Sequence, residues 1–167
     1  PLNRSHFELN DVIARVLLRQ TARIEANNLD VDVNFGTDRC IVDADIERIE
    51  QVLTNLIDNA IKYVGDEKLI KIWTIVSGNK VFVSVSNSGT IPQDDMLHIF
   101  DRFYIGDKAR SPGAGTGLGL SIVKKILEQH GEDIWAKNVQ DSHVIFTFSL
   151  PVVNEGDNLV LEEKHNG

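Results

Sequence analysis

Residues 46–63 read IERIEQVLTNLIDNAIKY. Ile46, Ile49, Val52, Leu53, Leu56, Ile57, Ala60 and Ile61 recur at the i, i+3, i+4, i+7 spacing that gathers apolar side chains into one stripe of a helix. Inside that helix Asn55, Asn59 and Lys62 follow one another at steps of four and three, with Tyr63 next. Both amides and the ammonium therefore leave the helix on one side. Alone, such a stripe fits a solvated helix face as well as the wall of a cavity.

Working outward, Gly65 and Asp66 stop the helix, and KLIKIWTIV (68–76) and KVFVSVS (80–86) alternate around an SGN turn as an antiparallel pair. Phe7 to Asn27 carries Phe7, Leu9, Val12, Ile13, Val16, Leu17 and Ile24 near helical spacing, which predicts one helix capped by Asn10 or Asp11. VDVNF (31–35) alternates with period two, and a TDRC turn leads to Ile41 and Val42, which predicts a hairpin. From Asn87 to Thr116 the chain is rich in turn residues, interrupted only by the short apolar segment Met96 to Tyr104. LGLSIVKKILEQH (118–130) restores the helical period and ends at Gly131, a suitable left-handed cap, before a last hairpin of IWAKN and HVIFTFSL. The expected fold class is α/β: a two-layer sandwich with a mixed sheet of about five or more strands packed on three helices. Residues 1–153 form the expected domain, and 154–167 an acidic, flexible tail.

A chain of 167 residues with 42% hydrophobic and 25% charged residues can build one packed core. No apolar run approaches the ~18 residues of a spanning helix. Lys and Arg number 17 against 25 Asp and Glu, and a net charge of −8 argues against a nucleic-acid partner. One cysteine excludes an intrachain disulfide and any multi-cysteine metal site. With no signal segment at Pro1, the chain reads as a cytosolic fragment of something longer.

In GAGTGLGL (113–120) glycines alternate into a helix start, where backbone amides and the helix dipole favour an anion. The spacing matches neither the P-loop nor the dinucleotide fingerprint. His6, His98, His130, His143 and His165 show no zinc-site spacing, and each reads as a surface or cap histidine; His130 is the best placed, beside Gly131 at a helix C-terminus.

Taken in order, NLIDNAIKY, SVSNSGTIP, IFDRFY and GTGLGL resemble the N, G1, F and G2 boxes of sensor histidine kinase catalytic domains, of the GHKL superfamily shared with gyrase, heat-shock chaperones and mismatch-repair ATPases. The resemblance runs from about Phe7 to Pro151 and implies the Bergerat-type ATP-binding fold, with ATP and Mg²⁺ as cofactors. It implies that Asn59 holds the Mg²⁺ with Asn55 assisting, that Lys62 meets a phosphate and that Tyr63 packs on the adenine. Asn87 would accept from the adenine amino group, with Gly89, Ile91 and Phe103 completing the base pocket. Gly115, Thr116, Gly117, Leu118 and Gly119 would cradle the phosphates.

Two departures stand out. The family's DNGxGIP is NSGTIP here, with Asn87 for aspartate and one residue fewer, which implies weaker or rewired adenine recognition. Ile105 replaces a frequent arginine, so Lys108 or Arg110 would take its place near the transferring phosphoryl. Phe100 and Phe103 also fit a purely anchoring role, holding this segment to the core.

Hydrolysing relatives carry a glutamate one turn before the Mg-binding asparagine, and that position is Asn55, which has no useful basicity. The implied activity is γ-phosphoryl transfer to a histidine on a separate dimerisation domain, by a chain inactive alone for autophosphorylation, since no histidine here stands in the acceptor context. Catalytic roles then fall on Asn55, Lys62, Lys108 and Arg110. A hydrolase of the same superfamily and a non-catalytic nucleotide-sensing module remain the alternatives. Implied partners are the dimerisation and phosphoacceptor domain and, indirectly, a response regulator. Nucleic acid and membrane insertion are excluded, and the implied setting is the cytoplasmic part of a membrane-anchored bacterial sensor.

Overall fold

In a computed structural model of the protein, residues 1–102, 104 and 119–154 are described. The strands are β1 (Ser5–Glu8), β2 (Asp30–Asn34), β3 (Ile41–Ala44), β4 (Leu69–Ser77), β5 (Lys80–Ser88), β6 (Ile134–Val139) and β7 (His143–Pro151). The helices are α1 (Leu9–Arg19), α2 (Thr21–Ala26), α3 (Ile46–Tyr63), α4 (Gln93–Met96) and α5 (Gly119–Gln129). A five-stranded sheet runs in the order β2-β4-β5-β7-β6, with β2 parallel to β4 and the other pairs antiparallel. A second sheet pairs β1 with β3.

Helices cover one face of the large sheet. Along β4, β5 and β7 the buried apolar residues alternate: Ile70 and Ile72, then Val81, Val83 and Val85, then Val144, Phe146, Phe148 and Leu150. Against them lie Val52, Leu53, Leu56 and Ile57 of α3 and Val123 and Leu127 of α5, which contribute about 2 kcal/mol per buried aliphatic side chain. Among the described residues three helices are long, as expected, and α2 and α4 are single short turns besides.

The single helix expected over 7–27 is replaced by β1, α1 and α2, with a break at Gln20. Phe7 pairs with Val42 in a strand, and the Glu8 carboxylate accepts from Cys40 N–H at 2.9 Å, so long-range pairing overrides the helical spacing. Nor does Asn10 cap the helix: it is buried, and its Nδ2 donates to the Thr37 and Asp38 carbonyls at 2.9 and 3.3 Å.

The predicted hairpin of residues 31–42 is also absent, because β2 and β3 belong to different sheets. Gly36 N–H bonds to Thr74 Oγ1 at 3.0 Å while Asn10 draws the next residues toward α1, and the connection leaves the sheet instead of folding back. The C-terminal half follows expectation. The 78–79 turn closes β4 on β5, since Ser77 pairs with Lys80. α5 ends in a Schellman arrangement, Glu132 N–H to Leu127 O and Gly131 N–H to Glu128 O, with Gly131 at φ +71°.

Candidate functional site

α3 begins at Asp45, whose carboxylate accepts from Arg48 N–H at 3.4 Å and from Asn3 N–H at 3.0 Å. Burial acts to raise the Asp45 carboxyl, but the Asn3, Arg48 and Glu47 N–H groups and the Arg48 charge outweigh it and hold the group below its ordinary value. The helix then runs as one rod to Tyr63, carrying the amides on the turns nearest its C-terminal half.

Asn59 is 8% exposed, and its Nδ2 is buried without a hydrogen-bond partner. Asn55, one turn earlier, is partly exposed and donates from Nδ2 to the Gly119 carbonyl at 3.1 Å, which joins α3 to the first residue of α5. Tyr63 is buried in the last turn and Lys62 is exposed beside it.

The end of α3 is stitched to the end of β5. Gly65 N–H bonds to Ser88 O at 2.7 Å, and Gly89 sits at φ +85° so close that a Cβ on it would lie 2.9 Å from Gly65 N and 3.0 Å from Tyr63 O. Only glycine fits both the backbone conformation and the space. Asn87 is 1% exposed on the helix-covered face; its Nδ2 donates to Ser88 O at 2.8 Å and its Oδ1 is buried without a partner. The amide thus presents an acceptor, the same polarity a carboxylate would present. Four such atoms occur among the described residues: Asn59 Nδ2 and Asn87 Oδ1 belong to expected site residues, and Asn10 Oδ1 and Thr37 Oγ1 lie at the α1 end.

Ile91 is buried, and Asn138 of β6 bonds to it twice, Oδ1 from Ile91 N–H at 3.0 Å and Nδ2 to Ile91 O at 2.7 Å. Sequence reasoning missed Asn138, because nothing near residue 138 announces that its side chain will serve as a substitute strand for residue 91. Phe100 packs edge-on against Phe146 with centroids 6.0 Å apart, and Lys124 Nζ lies 5.5 Å from its ring, an anchoring role. Tyr104 donates to the buried Asp95 carboxylate. Gly119 starts α5, and among the described residues a Cβ there would meet Asn55 alone, at ordinary contact distance.

Phe103, Ile105, Lys108, Arg110, Gly115, Thr116, Gly117 and Leu118, with the tail from residue 155, lie outside the described residues. Of the remaining expected positions, Asn55, Asn59, Lys62 and Tyr63 share α3, Asn87, Gly89 and Ile91 follow one another off β5, and Gly119 meets Asn55. Of the two readings, surface or cap, His130 takes the second: it follows the last residue of α5, is 5% exposed, and has both ring nitrogens hydrogen-bonded, Nδ1 to the last-turn carbonyl of Ile126.

Among the described residues no group of three or more His, Cys, Asp or Glu could hold a metal ion. A hard cation here would therefore rely on an amide oxygen and on the oxygens of a ligand, the sparse protein coordination that suits Mg²⁺ bound with phosphates. On the uncovered face of the sheet a cavity of about 490 Å³, lined by Lys71, Trp73, Ser86 and His143 among others, is a separate feature.

The chain resembles sensor kinases over most of its length. It is 37% identical over 163 residues to the sensor histidine kinase YkoH of Bacillus subtilis, covering 93% of this chain and 36% of that protein. With the sensor histidine kinase WalK of the same organism it shares 41% over 118 residues, 68% of this chain and 19% of WalK. It thus spans between a fifth and two-fifths of these relatives. Among solved structures, the nucleotide-free catalytic domain of the histidine kinase ThkA superposes with a TM-score of 0.80 at 38% identity, covering 90% of this chain and 96% of that one. ThkA in complex with the response regulator protein TrrA superposes at 0.76 with 36% identity, over 90% and 42% of the two chains. Residues 44–154 match the family described as histidine kinase-, DNA gyrase B-, and HSP90-like ATPase, and the chain belongs to that family as an ATP-binding catalytic domain of the sensor histidine kinase type.

Proposed function

We propose that this domain positions Mg-ATP beneath α3 so that the γ-phosphoryl passes in line to a histidine of a separate dimerisation domain. The observation that carries the reading is the pair of buried, uncommitted amide atoms, Asn59 Nδ2 and Asn87 Oδ1, on the helix-covered side of β5 and α3. A buried polar atom without a partner costs about 1–3 kcal/mol, a cost a nucleotide's complementary groups would remove.

Asn87 Oδ1 is the acceptor for an exocyclic amino group, and Tyr63 lies in the turn that Gly89 touches, at the side of the base. Asn59 and Asn55 would hold Mg²⁺ through their amide oxygens, with Asn59 Nδ2 left to donate to an oxygen of the nucleotide, and the ion would neutralise charge on the phosphates. Lys62 adds a point charge for the same oxygens, and Gly119, with Gly115, Thr116, Gly117 and Leu118 before it, supplies backbone amides at the start of α5. Lys108 and Arg110 complete the charge around the transferred group, and Phe103 and Ile91 close the base pocket.

Asn55 speaks against hydrolysis. A neutral amide whose Nδ2 is engaged by Gly119 O offers no base for water. ThkA's complex with a response regulator supports such a regulator as the eventual phosphoryl acceptor of the whole protein. Among the described residues no helix is long and apolar enough to cross a membrane.

The test is calorimetry of ATP with and without Mg²⁺ on the wild-type chain and Asn59→Ala, followed by phosphotransfer. Metal-dependent binding lost in the variant is expected, with negligible phosphate release. Adding a helical domain that carries the acceptor histidine should yield acid-labile phosphohistidine. Steady phosphate release by the chain alone would favour a hydrolase instead.

A further inference from the structure

Two rungs connect α3 with α5. At one, Asn55 Nδ2 donates to Gly119 O at 3.1 Å; at the other, Asp45 N–H donates to His130 Nε2 at 3.1 Å. Asp45, the cap before α3, is ten residues from Asn55, and His130, just after α5, is eleven from Gly119, so at helical rise the rungs are spaced by about 15 Å on one side and about 16.5 Å on the other. The two helices run antiparallel, and the matched spacing lets both bonds form without sliding one past the other.

The chemistry at His130 is directional. Its Nδ1 faces Ile126 O at 2.8 Å, and a carbonyl only accepts, so Nδ1 carries the proton and Nε2 is the lone-pair acceptor that Asp45 N–H requires. The surroundings hold it there: Arg4 donates to His130 O at 3.1 Å and to Asp43 O at 3.2 Å, and the Asp45 carboxylate is engaged by Asn3 and Arg48. No part of this cluster lies at the nucleotide residues.

We propose that His130 is a positioning residue for the nucleotide site: it fastens the end of α5 to the start of α3 and thereby sets the register in which Asn55 meets Gly119. The inference rests on the nucleotide reading, but half of its test does not. In the ¹⁵N-labelled 167-residue chain, a scalar coupling across the Asp45 N–H to His130 Nε2 bond is expected in the wild type, and its absence overturns the proposal without any variant having to fold. His130→Leu removes the acceptor, whereas His130→Gln can return an oxygen to it. In the Leu variant, solvent exchange of the Asn55 side-chain amide should speed up and Mg-ATP should bind about fivefold to tenfold more weakly, while the Gln variant stays within about twofold of wild type in both. A folded Leu variant with unchanged Asn55 exchange, or Leu and Gln variants that lose alike, overturns it. If the wild type binds no Mg-ATP, the nucleotide reading fails while the coupling and the Asn55 exchange still decide the register.

Discussion

The two ends of the α3 and α5 pair are built on opposite principles. Around Asp45 and His130 the carboxylate has two N–H partners and the ring nitrogens one each. At the other end Asn59 and Asn87 are as deeply buried, yet each leaves a polar atom unmatched. Satisfied buried polar groups stabilise and orient a fold, whereas unsatisfied ones cost stability that only a ligand returns. The difference marks which end is scaffold and which is site.

The sharpest way to break the contrast is Gly89→Ala, which strains the seam that joins the two elements of the site. A methyl group there would sit 2.9 Å from Gly65 N at φ +85°, so a loss of at least about 2 kcal/mol in chemical denaturation is expected, with nucleotide binding abolished.

Next come paired polar-to-apolar changes. Asp45→Ala should cost about 1–2 kcal/mol, because it uncaps α3 and leaves Asn3 and Arg48 N–H unmatched. Asn59→Leu should do the opposite, raising stability by about 1 kcal/mol while reducing Mg-ATP affinity by more than about tenfold. Urea titrations and calorimetry on both variants decide it; destabilisation by Asn59→Leu would remove the distinction between the ends.

A smaller effect is the acid limb of stability. The folded Asp45 carboxyl lies below its unfolded value near about 3.9, so its stabilisation is complete above about pH 4 and is lost as pH falls through the folded value. Asp45→Asn keeps one capping oxygen but turns its NH2 toward the second N–H, so it should flatten that limb and lower neutral-pH stability by about 1 kcal/mol. Unfolding measured from pH 2 to 7 shows whether it does.

The smallest effect concerns the base. An asparagine free to turn either end toward the base would discriminate nucleotides poorly, but Asn87 Nδ2 is committed to Ser88 O and only Oδ1 remains. Asn87→Asp should therefore change the ratio of ATP to GTP affinity by less than about threefold, in competition binding, and place a carboxylate against the Ser88 carbonyl. A larger gain in selectivity would mean that the amide turns over when nucleotide binds.

What was legible in the sequence was what depends on neighbours along the chain. The apolar period of α3, the alternation of β4, β5 and β7, the 78–79 turn and the Gly131 cap all follow from local geometry, as does the alignment of Asn55, Asn59 and Lys62. The resemblance carried by four boxes in order, with an amide at residue 55 where hydrolysing relatives have glutamate, implied a phosphate ligand without a hydrolytic base. Only the tertiary structure decided that Phe7 lies in a strand, that β2 and β3 part company into two sheets, and that Asn138 holds Ile91. The same holds for His130, whose role is set by a residue 85 positions away. Hydrogen bonding is a matter of which groups meet in space, and whether a buried amide is matched or left for a ligand cannot be read from its neighbours in the chain.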